Sequence, residues 1–274
     1  MVHVPSKMKC IIINLPRANA RREAMYKQFC SLDPLDVQFE FLSGVDGRNL
    51  TEQDWALVDT TSRDREGRRA LSQGMIGCHL SHRKALDIVA TGDDELVAIF
   101  EDDVTLSKDL VTVLHALSRL YSTGYEFDFV FLHRRRVDKP FVALKRADES
   151  ITLGITKFSD HGALGYVASK RGATRLLKRY PRIVHQADHT LHAYWESGSN
   201  VYSVETPVVF HGNDAGDHSF LQEGAAFRPN RNFRRLGHRA LTLCREEVLK
   251  RIFFYRKLWK ERKAQRQSQE RLYL

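Results

Sequence analysis

Leu96-Val97-Ala98-Ile99-Phe100-Glu101-Asp102-Asp103-Val104 decides how this chain is read. Five apolar residues of the kind that suit a strand buried on both faces run straight into three carboxylates. In a parallel α/β sheet, ligands sit at the carboxyl ends of the strands, so this strand would deliver its acids into a crevice. Alternation puts Glu101 and Asp103 on one side and Asp102 on the other. Neighbouring anions repel unless a cation lies among them, and hard oxygen ligands of this kind suit Mg²⁺ or Mn²⁺ carrying a phosphorylated ligand. The competing reading is structural: the acids precede a helix for which Ser107 or Asp109 would serve as N-cap.

Working outward, Lys9–Leu15 reads as a buried first strand closed by Pro16, followed by a helix from about Asn19 to Cys30. Arg17, Arg21 and Arg22 fall at that junction, on the sheet edge that carries the acids, where they would meet phosphate or remain solvated. Val37–Leu42 alternates as a second strand and leads into the turn Gly44-Val45-Asp46-Gly47. Residues 59–73 are densely charged without periodicity, the composition of a loop that could close over a ligand. Gly74-Met75-Ile76-Gly77-Cys78-His79-Leu80-Ser81-His82 opens a helix, and its glycines would allow close backbone approach. His79 and His82 share a face, with structural hydrogen bonding the expected role for each.

After the acids, Lys108–Tyr121 carries an apolar stripe at helical spacing. Phe127–Leu132 is another buried strand, ending in His133-Arg134-Arg135-Arg136, whose guanidinium groups would bind an anion or stay solvated. A strand over 162–169, helices over 170–180 and 186–196, and a short strand at Val201–Glu205 complete the alternation. A chain of 274 residues with this order is expected to form one α/β domain with an appendage. Its four cysteines are scattered, without metal-ligand spacing. Met1–Lys9 lacks the apolar core of a signal peptide, and no run approaches the ~20 apolar residues of a membrane span, so the expectation is a cytoplasmic protein.

The formal charge of +9 is unevenly spread. From Arg228 onward there are 15 Lys+Arg against 4 Asp+Glu, leaving 28 against 30 for residues 1–227. That boundary divides an expected catalytic domain, 1–227, from a basic amphipathic tail, 228–274. No recognition motif for nucleic acid accompanies the basic residues, and none is expected as a partner.

The succession Ile12-Ile-Asn-Leu-Pro-Arg17 with Arg21-Arg22, Gly44-Val-Asp-Gly47, Gly77-Cys-His-Leu-Ser-His82, Phe100-Glu-Asp-Asp-Val104, Gly165-Tyr-Val-Ala-Ser169 with Gly172-Ala173, and Ala187-Asp188 resembles glycosyltransferase family 25. The likeness spans about residues 9–212. It implies a GT-A type, Rossmann-like nucleotide-sugar fold with helices on both sheet faces. It also implies metal-dependent, inverting transfer of a hexose, most often galactose, from a UDP-sugar donor. The expected acceptor is a lipid-linked oligosaccharide of lipooligosaccharide or lipopolysaccharide. The chain departs from the family at Met75, where a glutamate is common. The alternatives are a transferase of the same family using another UDP-hexose, or a non-catalytic nucleotide- or glycan-binding protein on the same fold.

Carried onto this sequence, the resemblance implies Asp103 and His211 as ligands of Mn²⁺ (or Mg²⁺). Glu101 and Asp102 would face the donor, with Asn14, Leu15, Arg17, Arg21 and Asp46 on its nucleotide and phosphates. Asp188 is the candidate general base for the acceptor hydroxyl; its position near a helix start favours the charged form.

In the tail, Leu241, Cys244, Val248, Ile252, Tyr255 and Trp259 recur at helical spacing, surrounded by lysine and arginine. Such a helix over 241–263 is expected to lie on an anionic bilayer, making the protein peripheral on the inner face of the inner membrane. Packing on the catalytic domain, or pairing into a homodimer, are its competitors.

Overall fold

A computed structural model describes residues 7–32, 37–59, 61, 71–135, 137–156, 162–212 and 233–270. In chain order these are β1 (Met8–Asn14), α1 (Asn19–Cys30), β2 (Val37–Ser43), α2 (Glu52–Ala56), α3 (Gln73–Thr91), β3 (Leu96–Glu101) and β4 (Val104–Leu106). They continue with α4 (Leu110–Ser122), β5 (Phe129–Phe131), β6 (Phe141–Arg146), β7 (Thr152–Thr156), β8 (Gly165–Ser169) and α5 (Lys170–Arg179). Last come α6 (Ala187–His192), α7 (Tyr194–Ser197), β9 (Val201–Val204), β10 (Val209–His211) and α8 (Phe233–Glu270).

The described strands form an eight-stranded sheet in the order β2-β1-β3-β8-β5-β9-β7-β6, and a separate ribbon of β10 with β4. β1 runs parallel to β2 and β3, β8 runs antiparallel between β3 and β5, and β5 is parallel to β9. The expected α/β sheet with helices on both faces is therefore present. β1 shows why: Cys10 and Ile12 enter one core with Phe29 of α1 and Leu114 of α4, while Ile11 and Ile13 enter a second with Leu86 of α3 and Leu176 of α5. Strand alternation delivers one β-branched run to both layers.

Local signals fix several starts. Ser72 caps α3 by accepting from the Met75 N–H at 3.2 Å, and Ser169 caps α5 by accepting from Gly172 at 3.0 Å. Helix α3 thus begins before the glycines of the Gly74–Gly77 stretch. A Cβ on Gly77 would lie 2.6 Å from the Val45 carbonyl oxygen, and one on Gly47 would lie 2.3 Å from that of Gln73. These two glycines let the turn after β2 sit against α3, so their close approach is backbone to backbone.

Other expectations change. The helix expected over 186–196 is two short ones, broken at Ala193 (φ −77°, ψ 53°). The β6–β7 hairpin was not anticipated. Of the expected charged loop 59–73, residues 60 and 62–70 lie outside those described, as does Arg136 of the arginine run.

The tail helix α8 packs on the main sheet's layer through Phe254, which is 4% exposed and belongs to the same core as β1 and α4. Around it, Lys257 Nζ donates to the Val201 carbonyl at 2.6 Å and sits 3.5 Å over the Tyr202 ring, and the Tyr202 hydroxyl donates to Glu261 at 2.6 Å. The anticipated apolar stripe faces away from the body: Leu241 is 70% exposed, Val248 56%, Ile252 54%, Tyr255 56% and Trp259 61%. The contact is made by Phe254 in the core and by the Lys257 ammonium and Glu261 carboxylate on Tyr202, leaving the apolar stripe in solvent.

Candidate active site

Glu101 closes β3, and Asp102 and Asp103 form the bend into β4. Gln28 of α1 holds that bend from below, donating to the Val104 carbonyl at 2.9 Å and accepting from the Leu106 N–H at 2.8 Å. Asp102 is gripped by Asn14 Nδ2 at 2.7 Å, from the end of the adjacent strand β1, and by Arg21 Nη1 at 3.1 Å. The same guanidinium reaches Asp103 at 3.4 Å. The register that pairs Ile13 with Glu101 is what sets Asn14 beside Asp102.

Three adjacent carboxyls in a partly buried cleft carry three different electrostatic burdens. Burial raises Asp102, against the pull of Asn14 and Arg21. Burial and then the Glu101 charge push Asp103 up to about 6. Burial acts on Glu101 too, but hydrogen bonding from His82 and the attraction of His82, His133 and His211 outweigh it and hold that carboxyl low. His82 Nε2 lies 3.2 Å from Glu101 Oε1, and its Nδ1 lies 3.0 Å from the Tyr166 hydroxyl.

A divalent cation fits this set. Oδ1 of Asp103 is buried without a hydrogen-bond partner among the described residues, and a cation would offset both the burial that raises Asp103 and the Glu101 charge beside it. The β10–β4 ribbon pairs His211 with Val104, next to Asp103, and the Gly212 N–H donates to the Asp103 carbonyl at 2.9 Å. Cys78, His82 and Glu101 also converge, with ligand atoms within 4.8 Å of one another. The Cys78 thiol, however, is held well above its ordinary pKa by burial and the nearby carboxylates, which makes it a poor ligand for a hard cation.

Two cavities meet at the acids. The first, of about 110 Å³, is bounded by Leu15, Arg17, Arg21, Val45 and Gly47 on the β1–β2 side. The second, of about 250 Å³, is bounded by Met75, Arg135, Gly162, Gln186, Asp188 and His211. Cys78, Glu101 and Asp103 line both, whereas Asp102 lines only the first. Asp188, in the first turn of α6, lines the second cavity and not the first.

Of the residues expected at the donor, Leu15, Arg17, Arg21, Glu101 and Asp102 line the first cavity. Asn14, also expected there, is 3% exposed, its amide is committed to Asp102 and the Ala18 carbonyl, and it does not line the cavity. Asp46 is bound by Arg17 at 2.9 Å and Arg48 at 2.8 Å and caps the turn 47–49; its neighbours Val45 and Gly47 line the cavity. Met75, the departure from the family pattern, lies in the second cavity, where Gln186 Nε2 is 3.3 Å from its sulfur. His79, expected to be structural, has Nδ1 2.9 Å from the His185 carbonyl, and burial lowers it to about 4. The hydrogen bonding expected of His82 is present, to Glu101 and Tyr166, but sequence reasoning did not place it beside the acids and gave Cys78 and Tyr166 no role there; the i, i+4 spacing of Cys78 and His82 was the available signal.

Residues 7–191 match the sequence model of "Glycosyltransferase family 25 (LPS biosynthesis protein)". Procollagen galactosyltransferase 1-B of Xenopus laevis is 29% identical over 192 residues, covering 65% of this chain and 30% of the relative. Probable inactive glycosyltransferase 25 family member 3 of Bos taurus is 28% identical over 189 residues, covering 65% and 30%. The chain spans about 30% of the length of these curated relatives. Among solved structures, the apo-form glycosyltransferase GlyE of Streptococcus pneumoniae TIGR4 aligns over 92% of this chain and 64% of its own at a TM-score of 0.39 and 11% identity.

Proposed function

This chain belongs to glycosyltransferase family 25, and on that premise we propose that it moves a hexose, galactose first among candidates, from a UDP-sugar to a hydroxyl of a lipid-linked oligosaccharide, with inversion. The observation that carries the reading is the pair of cavities sharing Glu101 and Asp103, with arginines around one and Asp188 on the other.

Arg17 and Arg21 offer guanidinium groups to the diphosphate of a donor in the first cavity. Asp102, fixed by Asn14, accepts from ribose or sugar hydroxyls. Asp103 and His211, with Glu101 beside them, would hold Mn²⁺ or Mg²⁺, which when bound offsets charge on the leaving UDP by several kcal/mol. The acceptor enters the second cavity, where Asp188 takes the proton of the attacking hydroxyl. The oxygen bonds to the anomeric carbon, the bond to the diphosphate breaks, and its electron pair leaves with UDP. Inversion requires the hydroxyl to attack on the face opposite the departing UDP, a role divided here between Asp188 in the second cavity and Arg17 and Arg21 in the first.

The outward stripe of α8 supports membrane association at the cytoplasmic face. Trp259, Tyr255 and Ile252 project between Arg251, Arg256 and Lys260, and each basic residue near an anionic surface contributes about 1 kcal/mol. Among the described residues no helix is long and apolar enough to cross a membrane.

The test is turnover of UDP-galactose with Mn²⁺ and a lipooligosaccharide acceptor, with UDP-glucose in parallel. Product formation that EDTA abolishes is the expected result. Tight UDP-sugar binding without either transfer or hydrolysis would instead support a non-catalytic binding protein, a reading that the inactive-named relatives keep in view. Activity undiminished by EDTA would remove the metal.

A further inference from the structure

Behind the second cavity lies a cluster that the transfer reaction does not use. His185 precedes α6, His189 is in it, and Glu196 is in α7; their ligand atoms lie within 4.8 Å of one another. The His185 and His189 ring centroids are 4.4 Å apart, and His185 is 4% exposed. We propose that His185, His189 and Glu196 bind a zinc ion that fixes the turn presenting Asp188.

Two imidazoles and one carboxylate form a ligand set that zinc favours over the hard cations suited to the acids at 101–103. In tetrahedral zinc sites with bonds near 2.1 Å, ligand atoms are about 3.4 Å apart, so the side chains close by up to about 1.4 Å on binding. Glu196 and the backbone of His185 are already held from behind, in the manner of the outer-shell contacts of zinc sites. The Tyr180 hydroxyl donates to Glu196 Oε2 at 2.9 Å, leaving Oε1 for the metal. The His79 Nδ1–H donates to the His185 carbonyl at 2.9 Å and holds that backbone against α3. The Trp195 and Tyr180 rings stand edge-on to His189 and His185 and exclude water from two sides.

The position gives the ion a purpose. Asp188 lies between the two histidine ligands in sequence, and α6 is only six residues long and ends in the irregular Ala193. A helix so short is marginal by itself, whereas three bonds to one ion would tie its start to α7. The consequence for turnover rests on Asp188 being the base, but zinc binding does not.

The experiment uses the full chain, stripped with chelator, dialysed and titrated with Zn²⁺ and with Co²⁺ as a coloured probe. One tightly held equivalent of zinc, visible Co²⁺ bands and a zinc-dependent rise in melting temperature are expected. Glu196→Gln and His189→Ala should lose all three and still bind UDP with Mn²⁺ within a few-fold of the parent; Asp103→Ala should keep all three. Equal zinc content in parent and variants, or no retained zinc in a folded parent, overturns the proposal. Because none of the three readouts involves sugar transfer, an inactive protein that binds zinc refutes the transferase reading and leaves this one standing.

Discussion

His82 Nε2 lies 3.2 Å from Oε1 of Glu101, with the Tyr166 hydroxyl 3.0 Å behind its other nitrogen. With the proton on Nε2, His82 donates to Glu101 and accepts from Tyr166, so a fully buried phenol sets the tautomer of the group that keeps Glu101 ionised. His82→Ala removes the main force opposing burial, and kcat/KM should fall about 10–100-fold while the acid limb of the pH profile moves upward. Tyr166→Phe keeps the packing and should give a smaller change in the same direction. An unmoved profile in both variants would sink the relay.

Asn14 acts through Asp102. Asn14→Ala leaves that buried carboxylate short of one donor, a loss of about 1.5–3 kcal/mol for a bond to a charged group. UDP-sugar affinity, measured calorimetrically with Mn²⁺, should weaken by at least about tenfold, at an energy of about 1.4 kcal/mol per decade.

Asp188 lines the second cavity and is absent from the walls of the first. Asp188→Asn should therefore leave UDP-sugar binding within a few-fold and cut transfer by about 10²–10⁴-fold, the usual contribution of a positioned general base. Unchanged turnover would remove Asp188 from the mechanism.

The two sides of α8 should respond differently. Phe254→Ala empties a core position and should cost about 3–5 kcal/mol in chemical denaturation. Trp259→Ser and Ile252→Ser, on the exposed side, should leave stability nearly unchanged and weaken co-flotation with anionic liposomes. Equal flotation of parent and double variant would discard the membrane role.

Acid should act through Asp46. The Arg48 side chain, with help from Arg17, lowers its carboxyl from 3.8 to about 2. A depressed carboxyl contributes stability that is present above the unfolded value near pH 4 and is lost as pH falls through 2. Arg48 is half exposed, so the contribution is discounted to about 1 kcal/mol. The stability gap between parent and Asp46→Asn, followed by urea denaturation, should be full at pH 7 and shrink between pH 4 and pH 2.

Much of the fold was legible because it rests on local periodicity. The run Val97–Phe100 and the stripe Val113–Leu120 each state their burial in their own spacing, and the sheet and its flanking helices follow. The Gly47 and Gly77 contact was not legible: both positions read equally well as ligand approach, and only the packing of a turn on α3 shows that they meet each other's backbone. Which side of α8 would dock on the body was not legible for a related reason. Its apolar spacing is real, but which side docks depends on the tyrosines and carbonyls that the sheet offers.

The order of residues by itself determined that an apolar strand ends in three acids, that arginines follow the first strand, and that the chain carries the motifs of its family. Those facts depend on neighbours along the backbone. Tertiary structure alone decided that Asn14 grips Asp102, that His82 and Tyr166 stand behind Glu101, that one cleft is two chambers joined at the acids, and that two histidines and a glutamate converge around Asp188. The physical reason is that hydrogen bonds and charge interactions act over a few ångströms of space, whereas their partners are distant in the chain, Asn14 and Asp102 by 88 residues and His79 and His185 by 106.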